Sequence, residues 1–227
     1  RLDRRDAALA ARLLYGVVQN CMLLDFYLAQ AVSSPLAKLQ PVVLDILRLG
    51  AYQILFLDKI PVSAAVNEAV EQTKTYANKR AAGLVNGSLR TLARRRDELV
   101  QPHDLATKYS HPQPLVDCLR ASMDDETLEA FLAADNDIPK TALQVNPLKA
   151  APEQVAAALD EAGVAYEPHP WLHGCFLVSG TGNLEALPLF QSGAVCVQDA
   201  AAKLAVLASG AAPGMRVLDC CAAPGGK

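Results

Sequence analysis

The sequence predicts a multidomain chain of three fold classes: an all-α helical bundle, a small α+β domain and the beginning of an α/β domain. Apolar residues recur at helical spacing through the first hundred residues, which predicts the bundle. From Thr141 onward short alternating segments are mixed with helical ones, and the last residues combine an apolar strand pattern with a glycine-rich turn. We place the domains at residues 1–140, 141–190 and 191–227.

Composition favours a globular protein that binds no metal and no membrane. Of 227 residues, 52% are hydrophobic and 20% are charged, and no apolar run approaches the roughly 18 residues of a membrane span. No signal-peptide pattern is present, and six scattered cysteines without a C-x-x-C pair suit a reducing compartment. His169 and His173 have helical metal-site spacing, but Pro168 and Pro170 exclude a helix there. We therefore expect a cytoplasmic monomer.

Charge is unevenly distributed along the chain, although the net value is −3. Residues 1–100 carry 14 Lys and Arg against 9 Asp and Glu, a balance of +5. Residues 101–227 carry 7 against 15, a balance of −8. Any contact with nucleic acid is therefore expected from the first region.

Helical periodicity predicts six helices before a linker at residues 135–140. The ranges are 2–32 with a break near Gly16, 41–57, 64–77 with Ser63 as N-cap, 79–99, 115–121 and 125–134. Gly87 lies in mid-helix, which predicts a close helix crossing at that point. Asn67 and Asn86 have apolar neighbours, and one interpretation is that both bridge helix ends across the bundle.

The small α+β domain is predicted from alternating and helical segments after residue 140. Strands are expected at 142–146, 164–166, 175–178 and 194–197, with helical segments at 152–162, 184–187 and 200–208. Gln198 and Asp199 precede the last helix, where they either line a site or, for Asp199, act as N-cap.

The last stretch predicts a cofactor site. Val217 and Leu218 are expected to form a short buried strand that ends on Asp219. Small residues follow, so that backbone amides can approach a ligand closely. A phosphate-binding P-loop is an alternative, with Gly226 and Lys227 as its G-K, but Cys221 occupies the position of its first glycine.

Asp219 to Lys227, read as D-x-C-A-A-P-G-G-K, resembles motif I of the RNA cytosine-5 methyltransferases of the Fmu/Sun (RsmB) and nucleolar-protein family. Cys220 stands where the family usually has an apolar residue. The resemblance implies a Rossmann-like methyltransferase domain that binds S-adenosyl-L-methionine. The cofactor residues it implies are Cys221, Ala222, Ala223, Pro224, Gly225, Gly226 and Lys227.

The first hundred residues resemble the NusB fold, an RNA-binding helical bundle. Two segments carry the resemblance, A-V-N-E-A-V-E from Ala65 and V-N-G-S-L-R from Val85. The basic cluster of Arg94, Arg95 and Arg96 is then the candidate RNA contact, although cations in a last helical turn also suit the helix dipole.

Two later segments add to the methyltransferase resemblance, each with a departure. The domain from residue 141 is similar to the ferredoxin-like RNA-binding domain of these enzymes, with Gln144 where the family has Arg. One cation that could reach RNA is therefore missing. His111 to Leu115 is similar to an H-P-x-W-L segment, with Pro114 in place of Trp.

Together the resemblances imply a fragment of a 16S ribosomal RNA cytosine-5 methyltransferase. In that family a NusB-like domain ahead of the methylase is typical of the enzyme acting on position 967. A Cys that lies downstream of motif I adds to C6 of the base, so no catalytic residue is expected in this chain, and neither Cys220 nor Cys221 is expected to be the nucleophile. We expect the fragment alone to bind no cofactor measurably. The alternative is a non-catalytic RNA-binding factor of the antitermination type, which would leave motif I without a purpose.

Overall fold

The computed structural model describes residues 3–179, 184–220, 222, 223 and 225. The chain divides into two compact units, Arg1–Asp137 and Ile138–Lys227. The first is helical and the second contains a sheet, which confirms the predicted order of an all-α bundle and a small α+β domain.

The first unit contains eight α-helices among its described residues. They are α1 (Arg4–Gln19), α2 (Cys21–Ala29), α3 (Pro41–Phe56), α4 (Val62–Tyr76), α5 (Lys79–Arg94), α6 (Leu105–Tyr109), α7 (Gln113–Arg120) and α8 (Asp125–Asp135). Leu24, Leu47, Val85 and Leu89 are fully buried in the core formed by α2, α3 and α5. Each of these helices buries apolar residues that recur at helical spacing.

Helices α1 and α2 meet at Asn20 with a bend of 75°, and not near Gly16 as predicted. A Cβ on Gly16 would lie 2.0 Å from Cζ of Tyr52, so this glycine lets α1 approach α3 closely. Within the described residues no single helix is long and apolar enough to span a membrane, and α1 and α2 pass that test only as a bent pair.

Three further details of the bundle differ from the prediction. Helix α4 begins at Val62 with Pro61 as N-cap, because the Pro61 carbonyl already accepts from the amides of Ala64 and Ala65, so Ser63 is not the cap. Nothing lies within 4 Å of a Cβ built on Gly87, so Gly87 serves no close helix crossing. Asn67 is exposed and Asn86 accepts a hydrogen bond from Arg90 one turn later in α5, so neither bridges helix ends.

The segment after α5 packs onto the bundle. Gln19 donates to the Asn136 carbonyl at 2.6 Å, and the Met22 amide donates to the Ser110 hydroxyl at 2.8 Å. His111, 8% exposed, places Nδ1 2.7 Å from the Tyr109 carbonyl and Nε2 2.9 Å from a carboxylate oxygen at the end of α8. In the H-P-x-W-L-like segment, His111 therefore has a structural role, tying the end of α6 to the end of α8.

The second unit contains a four-stranded antiparallel sheet in the order β2-β3-β1-β4. Its elements are β1 (Thr141–Val145), α9 (Pro152–Glu161), β2 (Ala165–Pro168), β3 (Cys175–Ser179), α10 (Pro188–Gln191), β4 (Val195–Val197) and α11 (Ala200–Ala208). Leu143 and Val178 from the sheet pack against Val155 and Leu159 of α9. Strand β4 lies in the segment that the sequence assigns to the third domain, yet it pairs with β1 as an edge of this sheet.

The buried strand predicted at Val217 and Leu218 is absent. These side chains are 70% and 85% exposed, and no residue from 209 to 220, all of them described, lies in a strand. A buried parallel strand needs neighbouring strands, and every described strand belongs to the antiparallel sheet. A turn precedes this segment, with Gly214 at φ +84° and the Met215 backbone amide donating to the Ala212 carbonyl at 3.1 Å.

Candidate functional site

The three arginines of the predicted basic cluster lie at the end of α5 but have different surroundings. Arg94 is in the last helical turn and its side chain is exposed. Arg95 donates to the Gln30 carbonyl at 3.1 Å and lies 3.7 Å from a Glu98 carboxylate oxygen. Arg96 donates to the Leu55 carbonyl at 3.2 Å and lies 4.0 Å from Asp58. Arg95 and Arg96 therefore hold neighbouring segments together, whereas Arg94 projects outward.

The helix after β4 begins on Asp199. Its Oδ1 accepts hydrogen bonds from the amides of Ala201 at 2.8 Å and Ala202 at 3.3 Å, as an N-cap does. Of the two interpretations of Asp199, the structure shows the cap. Gln198 is half-buried, and its backbone N–H donates to the Ala142 carbonyl at 3.2 Å. This hydrogen bond continues the pairing of β4 with β1.

Gln144, where the resembled family has Arg, lies inside the second unit and is 2% exposed. Its Nε2 donates to Cys175 Sγ at 3.1 Å and to the Gln198 carbonyl at 3.4 Å. Burial raises the pKa of the Cys175 thiol, and the hydrogen bond from Gln144 only partly offsets this. A side chain at position 144 thus points into the domain, so the missing cation is not a missing surface contact.

His169 and His173 line a surface cavity of about 270 Å³. Trp171 lies between them in the sequence. The imidazole of His169 meets the indole of Trp171 edge to face, with ring centroids 4.4 Å apart. In the part of the chain that the structure describes, no group of three or more His, Cys, Asp or Glu side chains could hold a metal ion.

Of the seven predicted cofactor residues, the structure describes Ala222, Ala223 and Gly225; Cys221, Pro224, Gly226 and Lys227 lie outside the described residues. The three described ones are exposed. Gly225 has φ +96°, a backbone conformation that residues other than glycine rarely adopt. No described atom lies within 4 Å of a Cβ built on Gly225. These small, accessible residues fit a turn whose backbone receives a ligand.

Two segments of the chain match known protein families. Residues 1–94 match the NusB family, and residues 111–185 match the ferredoxin-like domain of RsmF/B-like methyltransferases. The chain carries a NusB-family domain followed by an RsmF/B-like ferredoxin-like domain. The resemblances drawn from A-V-N-E-A-V-E and from the mixed segment after residue 140 are thereby confirmed.

Similar curated proteins match this two-domain chain from end to end. It is 34% identical over 232 residues to a probable ribosomal RNA small subunit methyltransferase B of Bacillus subtilis, covering 100% of the chain and 51% of that protein. It is 32% identical to ribosomal RNA small subunit methyltransferase B of Escherichia coli O1:K1, covering 100% of the chain and 53% of that protein. The chain thus spans about half the length of these relatives.

A solved structure, PH0851, has a similar fold. It aligns with a TM-score of 0.66 at 21% identity, over 91% of this chain and 47% of that one. At this identity the likeness concerns the fold alone.

Proposed function

We propose that this chain contributes the RNA-binding domains and the first cofactor-binding turn to an S-adenosylmethionine-dependent methyltransferase of small-subunit ribosomal RNA. One observation carries the proposal: a NusB domain and an RsmF/B-like ferredoxin-like domain are followed by D-x-C-A-A-P-G-G-K within one chain. Neither domain by itself requires a methyl donor, and a methyl-donor turn alone requires no RNA-binding domains. Their combination suits an enzyme that must position a large RNA beside a small cofactor.

The residues proposed to hold the cofactor are Cys221 to Lys227, with backbone amides as the binding groups. Exposed Ala222 and Ala223 and the positive φ of Gly225 support this, because they leave the backbone accessible. S-adenosylmethionine, when bound, supplies a methyl group on a positively charged sulfur. The net charge of −8 for residues 101–227 suits a positively charged donor better than a nucleoside triphosphate.

The finer proposal is methylation of C5 of a cytosine in 16S ribosomal RNA, at position 967 as the NusB-domain resemblance implies. C5 is a weak nucleophile, so a Cys thiolate first adds to C6, which shifts electron density to C5. C5 then forms a bond to the methyl carbon as the carbon–sulfur bond breaks. A base removes the C5 proton, and the Cys–C6 bond breaks to release the product. We place this Cys outside the present chain, and we propose a cytoplasmic, monomeric enzyme.

The deciding experiment uses the complete protein with tritiated S-adenosylmethionine and 16S ribosomal RNA transcribed in vitro. We expect tritium in the RNA, and after digestion to nucleosides the tritium should elute as 5-methylcytidine. Isothermal titration calorimetry should show binding of S-adenosylhomocysteine that excess ATP does not displace.

The opposite pair of results would defeat the proposal. If the protein binds ATP, ignores S-adenosylhomocysteine and leaves the RNA unmethylated, the glycine-rich turn is a phosphate site. If it binds RNA but neither small molecule, the chain acts as a non-catalytic RNA-binding factor.

A further inference from the structure

Helix α5 (Lys79–Arg94) contains four charged side chains, and all four are cations. None of them forms an ion pair with a carboxylate in the part of the chain that the structure describes; they are Lys79, Arg80, Arg90 and Arg94. Several cations elsewhere in the same unit do pair with a carboxylate. Lys74 on α4 lies 2.7 Å from Glu71, and Arg48 on α3 lies 2.7 Å from Asp25. Among the described residues, no carboxylate therefore balances the positive charge of α5.

Three of these cations share one face of the helix. Arg80, Arg90 and Arg94 are separated by ten and four residues, which places them on one stripe at 3.6 residues per turn, and all three are exposed. The opposite face buries Val85, Leu89 and Leu92 completely. The stripe runs about 21 Å from Arg80 to Arg94 at about 1.5 Å per residue.

The N-terminal end of this stripe opens into a surface cavity of about 310 Å³. Its polar lining comes from Lys38, Gln40, Asn78 and Arg80, and its lining residues include no carboxylate. Lys38 comes from the segment before α3 and adds a second cation to that of Arg80; like Arg80, it pairs with no described carboxylate. Asn78 Nδ2 donates to Gln40 Oε1 at 3.3 Å, which fixes two amide groups at the cavity wall.

We propose that the outer face of α5, together with Lys38, is a docking surface for the phosphate backbone of RNA. Charge complementarity selects the occupant, because a row of unpaired cations attracts a polyanion and repels a basic protein surface. Between Arg80 and Arg90 the stripe contains Gly83 and Gly87, where a Cβ would meet open space, so a sugar-phosphate chain can approach the helix closely. The inference rests on the proposed function only in taking ribosomal RNA as the partner.

This surface also explains the different surroundings of the predicted basic cluster. Arg94 is an exposed member of the α5 stripe, whereas Arg95 and Arg96 donate to the carbonyls of Gln30 and Leu55. The RNA contact then extends along the helix from Arg94 toward Arg80 and does not continue along the chain into Arg95 and Arg96.

The test measures binding of the 227-residue chain to 16S ribosomal RNA by filter binding at several salt concentrations. Each lost phosphate contact lowers the slope of log affinity against log salt by roughly 0.7 to 0.9. The double variant Arg80→Gln/Arg90→Gln is expected to lower the slope by roughly 1.5 and to weaken binding on the order of tenfold. The matched control is Lys74→Gln/Lys108→Gln, which removes the same charge from cations paired with Glu71 and Glu129.

A steric variant tests the same face without changing charge. Gly87→Leu adds a good helix former where nothing lies within 4 Å, so the fold should persist, as circular dichroism would verify. The added side chain should keep RNA away from the helix, and we expect several-fold weaker binding. The control is Thr75→Leu, which places the same side chain at an exposed position on α4 and should leave RNA binding unchanged.

Three results would overturn the inference. One is an equal loss of affinity in the α5 variant and the lysine control, and another is no measurable binding of the chain to the RNA. The third is self-association, seen by sedimentation, that the α5 variant abolishes while RNA binding stays intact, which would assign this face to a second copy. Methyl transfer by the complete protein is a separate measurement, so the docking surface and the proposed function can fail independently.

Discussion

The guanidinium of Arg48 on α3 donates two hydrogen bonds to the carboxylate of Asp25 on α2, from Nε to Oδ1 at 2.8 Å and from Nη2 to Oδ2 at 2.7 Å. The hydrogen bond to Asp25 raises the pKa of Arg48 above its ordinary value, more than burial lowers it. Both side chains are largely shielded, at 21% and 32% exposed. The pair therefore joins two core helices through a bidentate contact, which is stronger than a typical surface ion pair.

Asp25→Asn should lower the free energy of unfolding by about 1 to 2 kcal/mol, because it removes a charge-assisted hydrogen bond and leaves a half-buried guanidinium poorly paired. Urea unfolding monitored by circular dichroism measures this. Asp45→Asn is the control: Asp45 contacts the same arginine at 3.2 Å but is 65% exposed, so its loss should cost less than about 0.5 kcal/mol. Equal losses in the two variants would contradict the importance of the bidentate geometry.

Two helical glycines should respond to alanine in opposite directions. In Gly16→Ala the new Cβ would lie 2.0 Å from the ring of Tyr52, which is 8% exposed and stacked on Phe56, so we expect a loss of about 1 to 3 kcal/mol. In Gly87→Ala the Cβ enters open space, and the better helix propensity should add about 0.5 to 1 kcal/mol. Thermal unfolding of both variants measures these changes in stability. A stabilised Gly16→Ala variant would contradict the prediction and show that Tyr52 moves aside freely.

These two glycines show what the sequence alone could not predict. Helical periodicity predicted the helices that the structure shows as α2, α3 and α5, because the apolar pattern of a single helix is enough to recognise it. It placed a break near Gly16 and a close crossing at Gly87, whereas the bend lies at Asn20 and no other described helix approaches Gly87. Which glycine another helix approaches depends on tertiary packing. In this bundle the residue that approaches Gly16 is Tyr52 on α3, which is far from Gly16 in the sequence.

Some residues of the candidate site could be predicted from the sequence and others could not. From local patterns the sequence placed Arg94 at the end of a helix and gave an N-cap as one of two interpretations of Asp199, and the structure shows both features. It overlooked Lys38 and Arg80, which are distant in sequence and meet only at the cavity between the segments preceding α3 and α5. The absence of any carboxylate from α5 was a signal in the sequence that could have found half of that surface. The strand at Val217 was predicted from its own alternation, but a strand forms only with a partner.

The cysteine thiols should differ in reactivity with an alkylating reagent. Cys175 is 2% exposed, and burial raises its pKa, so at a given pH a smaller fraction is thiolate than for an ordinary thiol. We expect iodoacetamide at pH 8 to label the exposed Cys118 and Cys196 at least tenfold faster than Cys175, as mass spectrometry of tryptic peptides would show. Gln144→Ala should open access to Cys175 and speed its labelling. Rapid modification of Cys175 in the unaltered chain would contradict the buried Gln144–Cys175 contact.

In the complete protein, Gly225→Ala should weaken binding of S-adenosylhomocysteine about tenfold. Gly225 has φ +96°, and a side chain there costs on the order of 1 to 3 kcal/mol or changes the turn. Gly214→Ala is the matched control, because Gly214 also has a positive φ, +84°, but lies before the proposed cofactor residues. Calorimetry should find the loss of affinity in the first variant alone, and a comparable loss in both would indicate general destabilisation.

The adjacent thiols Cys220 and Cys221 should be dispensable for attack on the base. We place this pair in the cofactor turn rather than beside the cytosine, because the family that the motif resembles carries its nucleophilic Cys downstream of this turn. RNA that carries 5-fluorocytosine tests this, because fluorine at C5 leaves no proton to remove and the enzyme remains attached through its Cys–C6 bond. In the complete protein, Cys220→Ser and Cys221→Ser should still form that covalent complex, seen as a slowly migrating band under denaturing conditions. If Cys221→Ser loses the complex while retaining S-adenosylhomocysteine binding, the nucleophile lies in the turn itself, and the proposed separation of cofactor binding from base attack is wrong.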